Sequence, residues 1–132
     1  MEVLFVEYPR CSTCKKAKRW LDEHGVEYHD RDIVEDNPSA EELGGWRRLG
    51  ELPLRRLFNT SGTKYRELGV KTQLDAGMSD EDAYALLATD GMLVKRPVLV
   101  VRRDDGTGTA LFGFREPAWF EALGLADGQA EA

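Results

Sequence analysis

The sequence predicts a mixed α/β fold in the order β-α-β, helical insertion, β-β-α. Three observations point to it. A short apolar, β-favouring run opens the chain and passes directly into an amphipathic helical pattern. The middle carries helix-start signals rather than strand alternation. Near the end, a β-branched run meets turn chemistry and a second extended run. With 132 residues, 42% hydrophobic and 32% charged, the chain has the size and mix of one folded domain.

Taken in order, Glu2–Glu7 reads as a buried strand, because Val3, Leu4, Phe5 and Val6 are apolar. Tyr8-Pro9-Arg10 breaks it. Residues 12–24 read as a helix with Cys14, Ala17, Leu21 and His24 on one face, widened by Trp20. Lys15, Lys16, Lys18, Arg19, Asp22 and Glu23 lie off that face, and Gly25 is a stop signal. Residues 26–32 read as a second strand whose polarity implies an exposed face or a sheet edge.

Ser39-Ala40-Glu41-Glu42 matches a capping box and starts a helix that Gly44-Gly45 weakens. Residues 52–58 read as a short basic helical turn, and Ser79-Asp80-Glu81-Asp82 as a second capped start. Ala83, Tyr84 and Leu87 form that helix's inner face. Residues 97–103 and 109–114 make an antiparallel hairpin around the turn residues 104–108, and 117–123 a final short helix. The expected organisation is one domain over 1–124, with the insertion at about 37–92 and a flexible tail over 125–132.

Composition excludes several classes. Eighteen basic against 24 acidic residues leave a net charge of −6, which argues against direct nucleic-acid binding. No apolar run approaches the ~20 residues of a membrane helix. The N-terminus has no basic region or cleavage-like site, so no signal peptide is read. Two cysteines do not make a disulfide scaffold. The expected location is cytoplasmic.

Both cysteines lie in Cys11-Ser12-Thr13-Cys14, between the first strand and the first helix. A thiol at a helix N-terminus faces unpaired N–H groups and the positive end of the dipole, which favour its thiolate. Arg10, Lys15 and Lys16 add positive charge. Cys11 is therefore the expected nucleophile, and Cys14, one turn on, the resolving thiol. A C-x-x-C beside a βαβ pattern reads as a redox motif. A zinc reading of Cys11, Cys14, His24 and His29 fails on spacing and on Gly25, which separates the histidines. No metal is expected.

Lys95-Arg96-Pro97 carries two readings. In one it is an ordinary strand start. In the other Pro97 is cis beside the cysteine loop, and Arg96 offers a cation to a thiolate or oxyanion. Arg47, Arg48, Arg55 and Arg56 read as mostly solvated surface, with a partner or anion patch as the alternative, and Trp20, Trp46 and Trp119 as packing. Gly62-Thr63-Lys64 lacks the upstream glycine of a phosphate loop.

Three segments together carry a resemblance: residues 8–17 (YPRCSTCKKA), 58–69 (FNTSGTKYRELG) and 91–100 (GMLVKRPVLV), with Gly113-Phe114 closing. The chain resembles the arsenate reductase (ArsC) family, which includes Spx-type transcription regulators, over residues 2–124. The resemblance implies a thioredoxin-like fold with a helical insertion. It implies Pro97 as a cis-proline facing the active site, Cys11 at the catalytic cysteine and Arg96 at an active-site arginine. Arg10, Ser12, Thr13, Asn59 and Pro97 are the expected substrate contacts.

Asn59 stands where the single-cysteine arsenate reductases have their first arginine. Arg115 is a loose counterpart of the third. Leu52-Pro53-Leu54-Arg55 replaces a glycine-bearing stretch of the polymerase-binding surface of Spx-type proteins. The expected activity is a thiol–disulfide oxidoreductase acting on a small oxyanion or disulfide, with arsenate reduction as one form. The reductant would be an external thiol such as glutathione, thioredoxin or another low-molecular-weight thiol, with no bound cofactor. The alternative is a redox-switched regulator that binds the C-terminal domain of the RNA polymerase alpha subunit.

Overall fold

The computed structural model describes residues 1–125. It contains four strands, β1 (Glu2–Glu7), β2 (His29–Asp32), β3 (Val98–Arg102) and β4 (Gly108–Phe112). Six helices accompany them: α1 (Ser12–Glu23), α2 (Ala40–Gly50), α3 (Thr63–Glu67), α4 (Val70–Asp75), α5 (Asp80–Leu87) and α6 (Glu116–Ala122). The element order is the mixed α/β, thioredoxin-like arrangement expected. The tail expected over 125–132 falls outside the described residues from 126 onward.

The described chain divides into two compact units, one made of Met1–Arg31 and the described residues from Arg96 onward, the other Asp32–Lys95. The first unit holds the sheet, in the order β2-β1-β3-β4. β1 runs antiparallel to β3 with Val6 opposite Val98, and β3 antiparallel to β4 with Val98 opposite Phe112. Its core joins Val3 and Phe5 of β1, Ala17, Trp20 and Leu21 of α1, Leu99 and Val101 of β3, and Trp119 of α6. The rings of Phe5, Trp20, Phe114 and Trp119 meet edge to face, an arrangement that suits their quadrupoles. The Trp119 indole N–H donates to the Gly113 carbonyl, so the buried ring leaves no polar atom unpaired.

The second unit has its own buried apolar side chains, among them Ile33, Leu43, Leu57, Phe58, Val70 and Leu87, and two of its helices carry side-chain caps. At α2 the predicted capping box is present in full: Ser39 Oγ accepts from Glu42 N–H, and Glu42 Oε1 accepts from Ser39 N–H. Gly44-Gly45 does not end this helix. Gly44 is buried against the Tyr84 ring of α5, where a Cβ would stand 3.1 Å from the ring edge, so the small residue serves a close helix–helix approach. Arg47 is not the solvated residue expected. It donates to Tyr84 Oη and the Leu52 carbonyl and pairs with Asp80. The helices α3 and α4 carry no side-chain cap and were not legible as elements.

β2 is shorter than the predicted 26–32 and lies at the sheet edge, as its polarity implied. Positioning of the chemistry rests on two strand ends. β1 delivers Glu7 and Tyr8 just before Cys11, and the start of β3 delivers Arg96 and Pro97.

Candidate active site around the cysteine pair

Cys11 is the N-cap of α1, with extended backbone, and Cys14 is the third residue of the helix. The backbone N–H of Cys14 donates to Cys11 Sγ at 3.4 Å. The turn before them is pinned by the Cys11 N–H, which donates to the Tyr8 carbonyl at 2.9 Å. No acidic residue occupies the first turn of α1, so the helix dipole has no competing anion there. Both cysteines are free thiols, Cys11 half-buried and Cys14 buried.

These surroundings push the two thiols in opposite directions. Burial raises the Cys11 pKa, but the Cys14 N–H, the Cys14 thiol, the Arg96 charge and the Thr13 N–H outweigh it, so Cys11 falls below the ordinary thiol value. Burial dominates at Cys14 and pushes it up to about 12. A hydrogen bond from the backbone of Tyr8 and the Arg96 charge resist, while Cys11 adds to the rise. The pair thus holds one thiol suited to ionise and one suited to stay protonated.

The Arg96–Pro97 peptide is cis, as the second reading of that segment has it, and it leads directly into β3, as the first has it. Pro97 is buried, and its carbonyl accepts from Gly113 N–H at 2.8 Å, tying the segment to the end of β4. Arg96 is half-buried, and its guanidinium lies over the Tyr8 ring, 5.5 Å from the centroid. Arg10, Ser12 and Thr13 are exposed around the cysteine loop. Asn59 belongs to the second unit. There its N–H donates to the Leu93 carbonyl and its Oδ1 accepts from Ser61 Oγ. Arg115 is an exposed N-cap of α6.

Sequence reading missed a second group beneath the loop. Glu7, only 3% exposed, lies on the same face of β1 as Val3 and Phe5. Lys18 bridges it to Asp30 of β2, at 3.3 Å from Glu7 Oε2 and 2.6 Å from Asp30 Oδ2. Burial pushes the Glu7 carboxyl up to about 7, helped by its hydrogen bond to Asp30 and by the Asp30 charge, while Lys18 opposes the rise. Burial raises Asp30 too, but the bonds from Glu7 and Lys18 outweigh it and hold Asp30 below its usual range. The sequence places Lys18 only off the apolar face of α1. Its spacing one turn from Cys14 was the available signal, but its partners lie on other elements. His24 closes α1 as expected, with Nδ1 2.8 Å from the Trp20 carbonyl. Among the described residues, no group of three or more His, Cys, Asp or Glu is placed to hold a metal ion. No helix there is long and apolar enough to cross a membrane.

Comparison with known proteins adds a wider frame. The model of the ArsC family matches residues 6–122. The chain is 46% identical over 121 residues to the uncharacterised protein YusI of Bacillus subtilis strain 168, covering 92% of this chain and 98% of that one. It is 29% identical over 100 residues to the global transcriptional regulator Spx of Staphylococcus saprophyticus, covering 76% of this chain and 73% of Spx. A solved structure of a possible arsenate reductase from Streptococcus mutans superposes with a TM-score of 0.75 at 42% identity, covering 86% of this chain and 91% of that one.

Proposed function

The chain belongs to the ArsC family, and from that premise and the thiol geometry we propose that it is a thiol–disulfide oxidoreductase. One observation carries the proposal: the N-cap thiol Cys11 is shifted toward its anion while Cys14, one turn away, is held protonated. Such a split suits an attacking and a resolving thiol.

The Cys11 thiolate attacks one sulfur of a disulfide substrate. The substrate S–S bond breaks, and the first thiolate leaves and takes a proton from solvent. Cys14 then gives up its proton and attacks Cys11 Sγ, closing the Cys11–Cys14 bond and expelling the second substrate thiol. Two electrons have passed from the pair to the substrate. An external thiol of the glutathione or thioredoxin type returns them by two exchanges. Arg96 and the α1 N–H groups bear the negative charge on sulfur, or on an oxyanion bound there. The same two electrons would take arsenate to arsenite with release of water.

The test is a redox titration in glutathione or dithiothreitol buffers, combined with the pH profile of Cys11 alkylation. The expected result is a reversible disulfide and a Cys11 that alkylates well below the ~8.5 of a free thiol. Thiols that never pair, or an ordinary free-thiol profile, overturn the reading. Turnover assays with arsenate and with a disulfide then separate the two substrate classes.

The similarity to Spx over 76% of the chain favours one second reading, a redox-switched regulator that binds the C-terminal domain of the RNA polymerase alpha subunit. Capture of that domain by only one redox state of the protein, without turnover, is the result that would select it.

A further inference from the structure

Tyr8 touches every member of the thiol site. Its carbonyl accepts from the Cys11 N–H at 2.9 Å. Its backbone bonds the Cys14 sulfur. Its ring lies under the Arg96 guanidinium, 5.5 Å from centroid to carbon. The backbone contacts are open to any residue. The ring contact depends on the side chain.

The sheet accounts for that contact. β1 and β3 pair antiparallel from Glu2 opposite Arg102 to Val6 opposite Val98. Tyr8 follows β1 directly and Arg96 stands two residues before β3, so both lie at the same end of this strand pair. Arg96 carries a long, rotamer-rich side chain, whose charge acts on Cys11 only while the guanidinium is held near it. An aromatic face attracts a guanidinium by its quadrupole and restricts it to the plane above the ring.

We propose that Tyr8 is a positioning residue, whose ring is the platform that holds the Arg96 guanidinium toward the Cys11 sulfur. The inference rests on the reading of Cys11 as the nucleophile and deepens it. The phenol hydroxyl has no part in it; the aromatic face supplies the contact. The other ionisable groups packed on β1 and α1 at this level, Glu7, Lys18 and Asp30, pair with one another. Cys14 acts on Cys11 from within α1 and Arg96 from the start of β3, with Arg10 exposed beside the loop.

The experiment compares Tyr8→Phe, Tyr8→Leu, Arg96→Ala and the double variant Tyr8→Leu/Arg96→Ala. The readout is the pH profile of Cys11 alkylation, assigned to that residue by mass spectrometry, with thermal unfolding as the check on folding. Tyr8→Phe is expected to superpose on the parent. Tyr8→Leu is expected to alkylate about two- to fivefold more slowly on the rising limb of the profile, the fold-change that an exposed cation–π contact is worth. Arg96→Ala is expected to slow it further, and the leucine change to add nothing in that background.

A Tyr8→Leu profile that matches the parent while Arg96→Ala shifts overturns the platform role and leaves the proposed chemistry standing. A Tyr8→Phe shift as large as that of Tyr8→Leu, or a leucine effect that persists without Arg96, also overturns it. An Arg96→Ala profile equal to the parent overturns both the platform and the charge assigned to Arg96.

Discussion

The first turns of α1 and α2 are built with opposite charge logic. α2 begins with a Ser39 cap, a reciprocal Glu42 bond and two acids, Glu41 and Glu42, in its first turn. α5 repeats the scheme with Ser79 and with Asp80, Glu81 and Asp82. Their N–H groups and dipoles are satisfied from within the helix. α1 begins with Cys11 as its cap, at 3.4 Å, and with no acid in the first turn. Its positive end is left for the sulfur, and for whatever anion the sulfur meets. A helix start that only stabilises the fold spends its field on fixed carboxylates. The start of α1 leaves the field to a group that can change its charge.

The strongest way to break this contrast is Cys11→Ser. Turnover of any disulfide substrate should fall to background, while thermal unfolding should show α1 still capped, since serine is a good N-cap. Residual thiol-dependent turnover would mean that Cys14 can act alone.

A second test concerns Glu7. Its pKa is raised to about 7 in the fold, against 4.5 for an ordinary glutamate. Between those values the unfolded chain has lost a proton that the folded chain keeps, so stability falls as pH rises through that window. Glu7→Gln should remove this slope, worth about 1–3 kcal/mol between pH 5 and 8, as read by denaturant unfolding. An unchanged slope would show that Glu7 ionises normally. Asp30, with its lowered pKa, contributes the opposite way, and its share is lost only as pH falls into the acid range.

Ser39→Ala should cost about 1 kcal/mol of stability by removing the α2 cap and leave the Cys11 alkylation profile in place. A shift in that profile would contradict the separation of structural and chemical caps. The smallest expected effect sharpens the comparison most. Thr13→Glu gives α1 a carboxylate at the position held by Glu41 in α2 and Glu81 in α5. It should raise the Cys11 pKa by about 0.2–0.7 unit in a pH–alkylation titration, the equivalent of 0.3–1 kcal/mol of dipole interaction. A lowered or unchanged value would mean that the α1 N-terminus is not what favours the thiolate.

Legibility in the sequence followed the range of the physics. The strands, α1, the caps at Ser39 and Ser79 and the closing hairpin were readable, because side-chain alternation and capping act over a few residues. The short α3 and α4 were not, since they have no side-chain cap and too few turns to show a period. Arg47 was misread because its partners, Tyr84 and Asp80, lie on another helix. At the site, the cysteine pair and its place at the strand-to-helix junction were readable. Arg96 was readable only as one of two alternatives, and Tyr8 and Glu7 only as a chain break and a strand end.

By itself, then, the sequence determined that a thiol would cap α1 beneath an uncompensated dipole, because that needs only residues 10–15 and local hydrogen bonds. The tertiary structure alone decided which distant groups act on that thiol. The strand pair brings Arg96 over the ring of Tyr8 at one end of the sheet, and, apart from the thiol, burial of one strand face closes Glu7 in with Lys18 and Asp30. Charges from remote parts of the chain matter only where folding brings them close and removes the water between them. That is a property of the packed sheet and helix, which no local pattern encodes.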